Sequence, residues 1–314
     1  MQRWDKAKHV SKCLELAILL EASATKPGNV NRTNDFERTH YEHFLASAVA
    51  LSLSFEVAAK RGIAVSKEEL DVDGIELGQI IKNCAVDVNA WQHGGNTLLG
   101  TAILLSPIAV AAGMTSDEEE TFDIEGLKEN LKLVVESTTP EDSVNVYEAI
   151  KTANPGGLGK ASNLDVNDSN SIDKIRKDRI SLYQIFKLAS GYDLVCSEWV
   201  NNYPITFDLA YPSLMGRLKE NKTLDTAIVL TFLGVLAGHP DTLIARKTNG
   251  EEAIRISLMA KEVLELGVEN SSGKRRLSEF DEELRRSSNL LNPGTTADII
   301  SAALSLCVLD GYRP

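Results

Sequence analysis

Basic charge is scarce in this chain: 33 Lys and Arg stand against 45 Asp and Glu, a formal net charge of −12. A protein whose main surface grips nucleic acid needs a basic face, so that class is set aside. A small polyanionic ligand stays compatible with the balance, provided metal ions or a local cluster of bases offset the field. Cysteine is sparse too. Cys13, Cys84, Cys196 and Cys307 are far apart in apolar periodic segments, and read as small core residues in a reducing compartment, with no disulfide or zinc spacing. Met1 to Val10 is charged and lacks the apolar region of a signal peptide. The longest apolar run, Leu98 to Met114, is interrupted by Thr101, Ser106, Pro107 and two glycines and is short for a bilayer span. These absences point to a cytoplasmic protein without a membrane partner.

Strand alternation is also hard to find, whereas 3.6-residue periodicity recurs throughout. It predicts helices over about 5–24, 40–61, 72–90, 97–112, 124–136, 141–152, 178–201, 209–220, 224–237, 250–266, 278–286 and 296–309, with Gly62, Gly113, Gly238 with Pro240, and Gly267 as stop signals. The expected fold class is all-α, a compact multi-helix single domain over residues 1–314. No fixed-period repeat suggests a solenoid, and a homo-oligomer is compatible with the composition. Three stretches read as irregular: an acidic turn at Thr115 to Glu120, a Gly-, Asn- and Ser-rich break at residues 154–171 that suits a mobile lid or tether, and a connector from Gly267 to Arg276.

Polar residues gather where helices end. At Glu21-Ala-Ser-Ala-Thr-Lys26-Pro27-Gly28-Asn29-Val30-Asn31-Arg32 an apolar helix stops in a polar turn, and Glu21 falls on the face that carries Leu14, Ala17 and Ile18. An acid on a buried face needs a partner, a metal or a catalytic role. Gly94-Gly95-Asn96-Thr97 precedes a strongly apolar helix. It is either a phosphate-accepting helix start, with free N–H groups and the positive end of the dipole, or an ordinary N-cap after a turn. Asp241, after Gly238-His239-Pro240, reads by itself as a capping aspartate opening a short helix that carries Arg246. Asp298, three residues after Thr295, either complements a helix dipole or points inward, since Ala302 and Ser305 form a small-residue strip on its face. His40 and His43 lie three apart but lack an evident third metal ligand, and a capping role suits them better. His93 and His239 border these segments, as proton donors or as turn residues.

The order and spacing of these segments resemble the triphosphoribosyl-dephospho-CoA synthase family. The resemblance rests on Glu21 with Lys26-Pro27-Gly28 and Arg32, Asn96-Thr97 with Gly100, Gly156-Gly157-Leu158-Gly159, Asp241-Thr242 with Arg246, and Pro293-Gly294 with Ala297-Asp298. The family's Asn-Thr is usually followed by His-Lys, where this chain has Leu98-Leu99. Two glycines commonly follow the arginine, where this chain has Lys247-Thr248, and Asn31 replaces an aspartate. The resemblance implies transfer of the triphosphoribosyl group of ATP to the ribose 2′-hydroxyl of 3′-dephospho-CoA, with release of adenine. It implies ATP and a CoA-type acceptor as small-molecule partners and Mg²⁺ as cofactor. Glu21, Asp241 and Asp298 become the acidic centre, catalytic and metal-holding. Lys26, Gly28, Asn29, Arg32, Gly95, Asn96, Thr97, Arg246, Gly294 and Thr295 become the substrate-binding set, with Glu42 and Lys160 near matched positions. Replacing Asp241 or Asp298 by Asn is expected to abolish turnover while leaving folding largely intact. A magnesium-dependent nucleotide or ADP-ribose hydrolase, a ribosyl transferase with another acceptor, and a non-catalytic nucleotide sensor are the alternatives.

Overall fold

The computed structural model describes residues 5–118, 120–159 and 163–314. Fifteen α-helices among them build the chain, in agreement with the all-α expectation. They are α1 Lys6–Ser23, α2 Tyr41–Ser66, α3 Leu77–Trp91, α4 Leu99–Met114, α5 Ile124–Glu136, α6 Pro140–Ala153, α7 Asn170–Asp178 and α8 Leu182–Ala189, followed by α9 Leu194–Val200, α10 Tyr211–Lys219, α11 Leu224–Gly238, α12 Thr242–Lys247, α13 Gly250–Leu266, α14 Ser271–Arg285 and α15 Gly294–Leu309. A two-stranded antiparallel ribbon, β1 Asp117–Glu118 and β2 Thr121–Phe122, sits in the expected acidic turn.

Two helices form the centre. Every residue of α4 from Thr101 to Gly113 and every residue of α15 from Ile299 to Leu309 is buried, so neither shows an apolar stripe; a helix surrounded by protein has no solvent face to make polar. These two pack against each other; α1 packs on both, and α2 packs along α4. One contiguous core runs from Ala7 to Leu309, and Val144, Tyr147, Leu164 and Ile175 form a satellite cluster beside it.

Several sequence expectations are corrected by contacts distant in sequence. Gly62 and Gly113 do not stop helices; α2 continues to Ser66 and α4 to Met114. A Cβ at Gly62 would collide with the carbonyl oxygen of Val110, and one at Gly113 with that of Ala59. Both glycines therefore mark a close crossing of α2 and α4, a demand that looks like a C-cap in sequence. The segment predicted as one helix over 72–90 breaks into a 3-10 turn, Val72–Ile75, and α3, with Glu76 in the left-handed region at φ 52° between them. The one predicted over 178–201 becomes α8 and α9. Ser181 and Gln184 form a capping box at the start of α8, and Asp193 caps the start of α9; local caps override the shared apolar period. The helix expected from Leu209 is preceded by a π-helical turn, Ile205–Ala210. The connector expected to reach Arg276 ends at Asn270, which caps α14.

Within the expected break at residues 154–171, residues 160–162 lie outside the described residues, and Lys160 with them. Of the remainder, Leu164 and Ser171 are buried, the Tyr147 hydroxyl donates to the Leu164 carbonyl at 2.6 Å, and α7 has begun by Asn170.

Pro107 in α4 cannot donate to the carbonyl four residues back. That carbonyl, Ile103 O, accepts instead from the Trp199 indole N–H at 3.1 Å, which fastens α9 to the central helix and fixes where Asp193 stands.

Replacing Gly62 by Ala is expected to destabilise the protein by about 1–3 kcal/mol, the range for overpacking a core. Urea unfolding monitored by circular dichroism should show a lower midpoint, with an exposed glycine such as Gly191, which has open space beside it, as the tolerant control.

Candidate functional site

The site forms where the C-terminal end of α1 meets the N-terminal ends of α4, α12 and α15. Glu21, in the last turn of α1, is 4% exposed and Lys26 is 1% exposed. Pro27 and Gly28 turn the chain back so that the Lys26 ammonium lies 3.0 Å from Glu21 Oε1. The same ammonium donates to the carbonyl oxygens of Glu21 and Ala24. Oε1 therefore has a close countercharge but accepts no well-aligned hydrogen bond. Burial pushes the Glu21 carboxyl up, and Lys26 opposes the shift.

Asp241 is fully buried and accepts four hydrogen bonds. Oδ1 takes the backbone N–H groups of Leu243 at 2.9 Å and Ile244 at 3.1 Å, capping α12. Oδ2 takes the N–H of Thr296 at 2.7 Å and its hydroxyl at 2.8 Å. The carboxylate thus ties the first turn of α12 to the first turn of α15. Burial raises its pKa and the bonds from Thr296, Ile244 and Leu243 pull it back.

Asp298, one turn into α15, keeps a small accessible area although protein surrounds it closely. Its Oδ1 accepts from the Thr101 hydroxyl at 2.5 Å. A Cβ on Gly100 would collide with Oδ2, so the glycine lets α15 lay its carboxylate against the first turn of α4. The Asp298 pKa is pushed up to about 8, chiefly by burial; the Thr101 bond opposes this, and the charges of Glu21 and Asp241 add to it. Glu21 and Asp241 both act on Asp298, which puts the three predicted acids in one electrostatic neighbourhood. They are not a tight cage. Among the described residues the trio of His, Cys, Asp or Glu side chains whose ligand atoms lie within 4.8 Å of one another is Asp35, His40 and Glu42, all exposed. His43 Nδ1 there accepts from the His40 backbone N–H at 2.9 Å, the capping role.

The predicted binding residues surround this centre unequally. Gly28 has φ 71°, its N–H donates to Asp281 Oδ1 at 2.7 Å, and a side chain there would run into Leu284. The Asn29 carbonyl accepts from Arg285 Nη2 at 2.6 Å. Arg285 also donates through Nε to Asp281. This carboxylate–guanidinium pair on α14 clamps the Lys-Pro-Gly-Asn turn; its i,i+4 spacing was readable in the sequence, its target was not. Asn31 is buried, with its amide donating to the Lys26 and Asn29 carbonyls. Arg32 is exposed and loosely paired with Asp225 at 3.5 Å.

At the start of α4, Gly95 has φ 81°, Asn96 is exposed with Oδ1 accepting from the Leu99 N–H at 3.1 Å, and the Thr97 hydroxyl lies 2.7 Å from that of Ser47. Asn96 thus accepts from the first N–H of α4 from two residues before its N-cap, Leu98. Arg246 pairs with Asp193. Gly294 packs its bare Cα against Leu243, and the Thr295 hydroxyl lies 3.3 Å from that of Thr242. His239 is half-buried and its pKa is lowered by burial, while His93 is exposed.

Lys247, a departure noted in the sequence and given no role there, stands within the field of Asp241. Its ammonium donates to Asn289 O and Asn292 Oδ1, both at 2.7 Å, and Gly156 and Gly157 lie against its stem. It therefore joins the glycine-rich loop, α12 and the start of α15. Its pKa is lowered to about 8 by burial, with Arg246 adding and Asp241 opposing.

Residues 7–314 match the family described as ATP:dephospho-CoA triphosphoribosyl transferase. The chain belongs to that family. A solved structure from Archaeoglobus fulgidus, described provisionally as a triphosphoribosyl-dephospho-CoA synthase, shares the fold at a TM-score of 0.64 and 22% identity, covering 87% of this chain and 100% of the other. No curated protein matches. The protein is a transferase that moves the triphosphoribosyl group of ATP to dephospho-CoA.

The geometry revises the expectation that Asp241→Asn leaves folding largely intact. An amide –NH₂ in that position would face N–H and hydroxyl donors, so the variant is expected to lose about 2–3 kcal/mol of stability, measured as a lower urea midpoint. Asp298 behaves differently. Its folded pKa lies above the ordinary carboxylate value of 3.8, so between pH 4 and 8 the folded state holds more proton than the unfolded one and stability falls as pH rises. Asp298→Asn should flatten that part of the pH–stability profile.

Proposed function

We propose that Glu21 and Asp298 are the reacting carboxylates of the transfer and that Asp241 is a positioning residue. The observation that carries this is the placement of Asp298 at the mouth of the buried α4–α15 pair, hydrogen-bonded to Thr101 and within the field of Glu21. A carboxylate with so few fixed partners suits proton transfer. Asp298 takes the proton of the acceptor hydroxyl as its oxygen bonds to C1′ of the ATP ribose. The bond from C1′ to the adenine nitrogen breaks with its electron pair going to adenine, which takes up a proton from solvent. Positive charge develops on the sugar in this step, and the Glu21 carboxylate supplies fixed negative charge beside it.

The donor set also fits magnesium. Glu21 Oε1 is a buried carboxylate oxygen without a hydrogen bond, Asp298 retains an oxygen free of hydrogen bonds in the described structure, and Mg²⁺ takes oxygen ligands from one or two carboxylates together with substrate phosphates. Glu21 and Asp298 would hold it; the four bonds to Asp241 leave that residue less suited. The bound ion would offset triphosphate charge. Arg32 and Arg246, both solvent-reached, and the start of α4 at Gly95, Asn96 and Thr97 are the phosphate contacts this reading favours, whereas Lys26 is committed to Glu21. A cytoplasmic setting accords with four free, buried cysteines.

Incubation with ATP, magnesium and dephospho-CoA should release adenine and add the triphosphoribosyl mass to the acceptor. Glu21→Gln and Asp298→Asn should each lower kcat by about 100-fold or more, the scale of general acid–base assistance, with the circular dichroism spectrum retained. Wild-type turnover in a folded Asp298→Asn protein would refute the assignment.

A further inference from the structure

A cavity of about 210 Å³ lies on the far side of α4 from the acids, between α3, the start of α4 and the end of α6. Its floor is buried and apolar: Cys84, Val88, Leu98 and Leu99. Its rim carries three exposed amides, Asn89, Asn96 and Asn154. Among the described residues no charged side chain lines it. Burial pushes the Cys84 thiol up to about 12, so the floor is chemically inert as well as uncharged.

We infer that this cavity seats the pantetheine arm of the acceptor, with the rim residues Asn89 and Asn154 meeting the arm's amides and the apolar floor receiving its sulfhydryl end. The inference rests on the reading of dephospho-CoA as acceptor and names the part of it this face recognises. Three observations lead there. Leu98, Leu99 and Ala102 line the cavity while Gly100 and Thr101 touch Asp298, so the first turn of α4 separates the two places. A helix with side chains is about 10–12 Å across, too far for a base or sugar attached to the reacting centre. The triphosphate of ATP could span that distance, but it is anionic and the described lining offers it no cation. The pantetheine arm, carried beyond two phosphates, is the neutral segment of either substrate that reaches so far. Asn96, whose side chain accepts from the first N–H of α4, also stands at the cavity rim, which places the mouth beside the α4 start.

The test uses the full chain with pantetheine alone, and with dephospho-CoA compared against ADP, which carries the same adenosine diphosphate without the arm. Saturable binding of pantetheine, seen by ligand-observed NMR, is expected for the wild type and lost in Ala153→Phe, which fills the cavity from its α6 side. Asn89→Asp, an exposed rim change with little bearing on folding, should weaken it at least fivefold. The wild type should favour dephospho-CoA over ADP at least tenfold in kcat/KM, and Ala153→Phe should cut that ratio at least fivefold. Equal use of ADP and dephospho-CoA by the wild type, or pantetheine binding that survives Ala153→Phe, would overturn the inference while leaving the transfer reaction standing. Absence of adenine release with either acceptor would count against the acceptor reading, and pantetheine binding would still decide the cavity's occupant.

Discussion

The Asp241 carboxylate is the fastening on which the site depends. A fully buried charge is costly unless its lone pairs are used, and here four donors from two helix starts use them. Because the donors belong to both α12 and α15, satisfying one acid fixes the relation of two elements. Asp298 then follows from the register of α15, and Arg246 and Lys247 from the short length of α12.

The remaining acids are balanced in other ways. Glu21 has Lys26 beside it, held by a turn that Asp281 and Arg285 clamp from α14. Asp298 has one hydroxyl partner and a pKa raised by burial and by its acidic neighbours. Polar satisfaction therefore grades from Asp241, fully engaged, to Asp298, lightly engaged. Reactivity is expected at the lightly engaged end, since a group whose oxygens are all occupied by the fold has little left for a substrate.

Close approach of backbone sets the rest of the geometry. Gly100 admits Asp298, Gly62 and Gly113 admit the α2–α4 crossing, and Gly28 admits the packing of its turn on Leu284. These positions fill no space, yet a methyl group at Gly62 or Gly113 would push apart the backbones of α2 and α4, and one at Gly100 or Gly28 would collide with the side chain of Asp298 or Leu284.

The helical class and the positions where helices stop in polar turns were legible in the sequence, because apolar periodicity and capping chemistry are local properties of the chain. The motif order that places it among the triphosphoribosyl transferases was legible too. Glu21 was recognisable as a buried acid from its period alone, and Asp241 as a cap. The partners of those residues were not. That Asp241 reaches Thr296, that Arg285 holds Asn29, that Lys247 meets Asn292, and that Gly62 and Gly113 serve packing all depend on contacts between segments tens to hundreds of residues apart. Periodicity says which face of a helix is buried but not which neighbour covers it, and a glycine at a helix crossing has the same letter as one at a helix end. The sequence thus determined the elements and the residue types at the site, while tertiary packing alone decided which acid the fold engages fully and which it engages lightly.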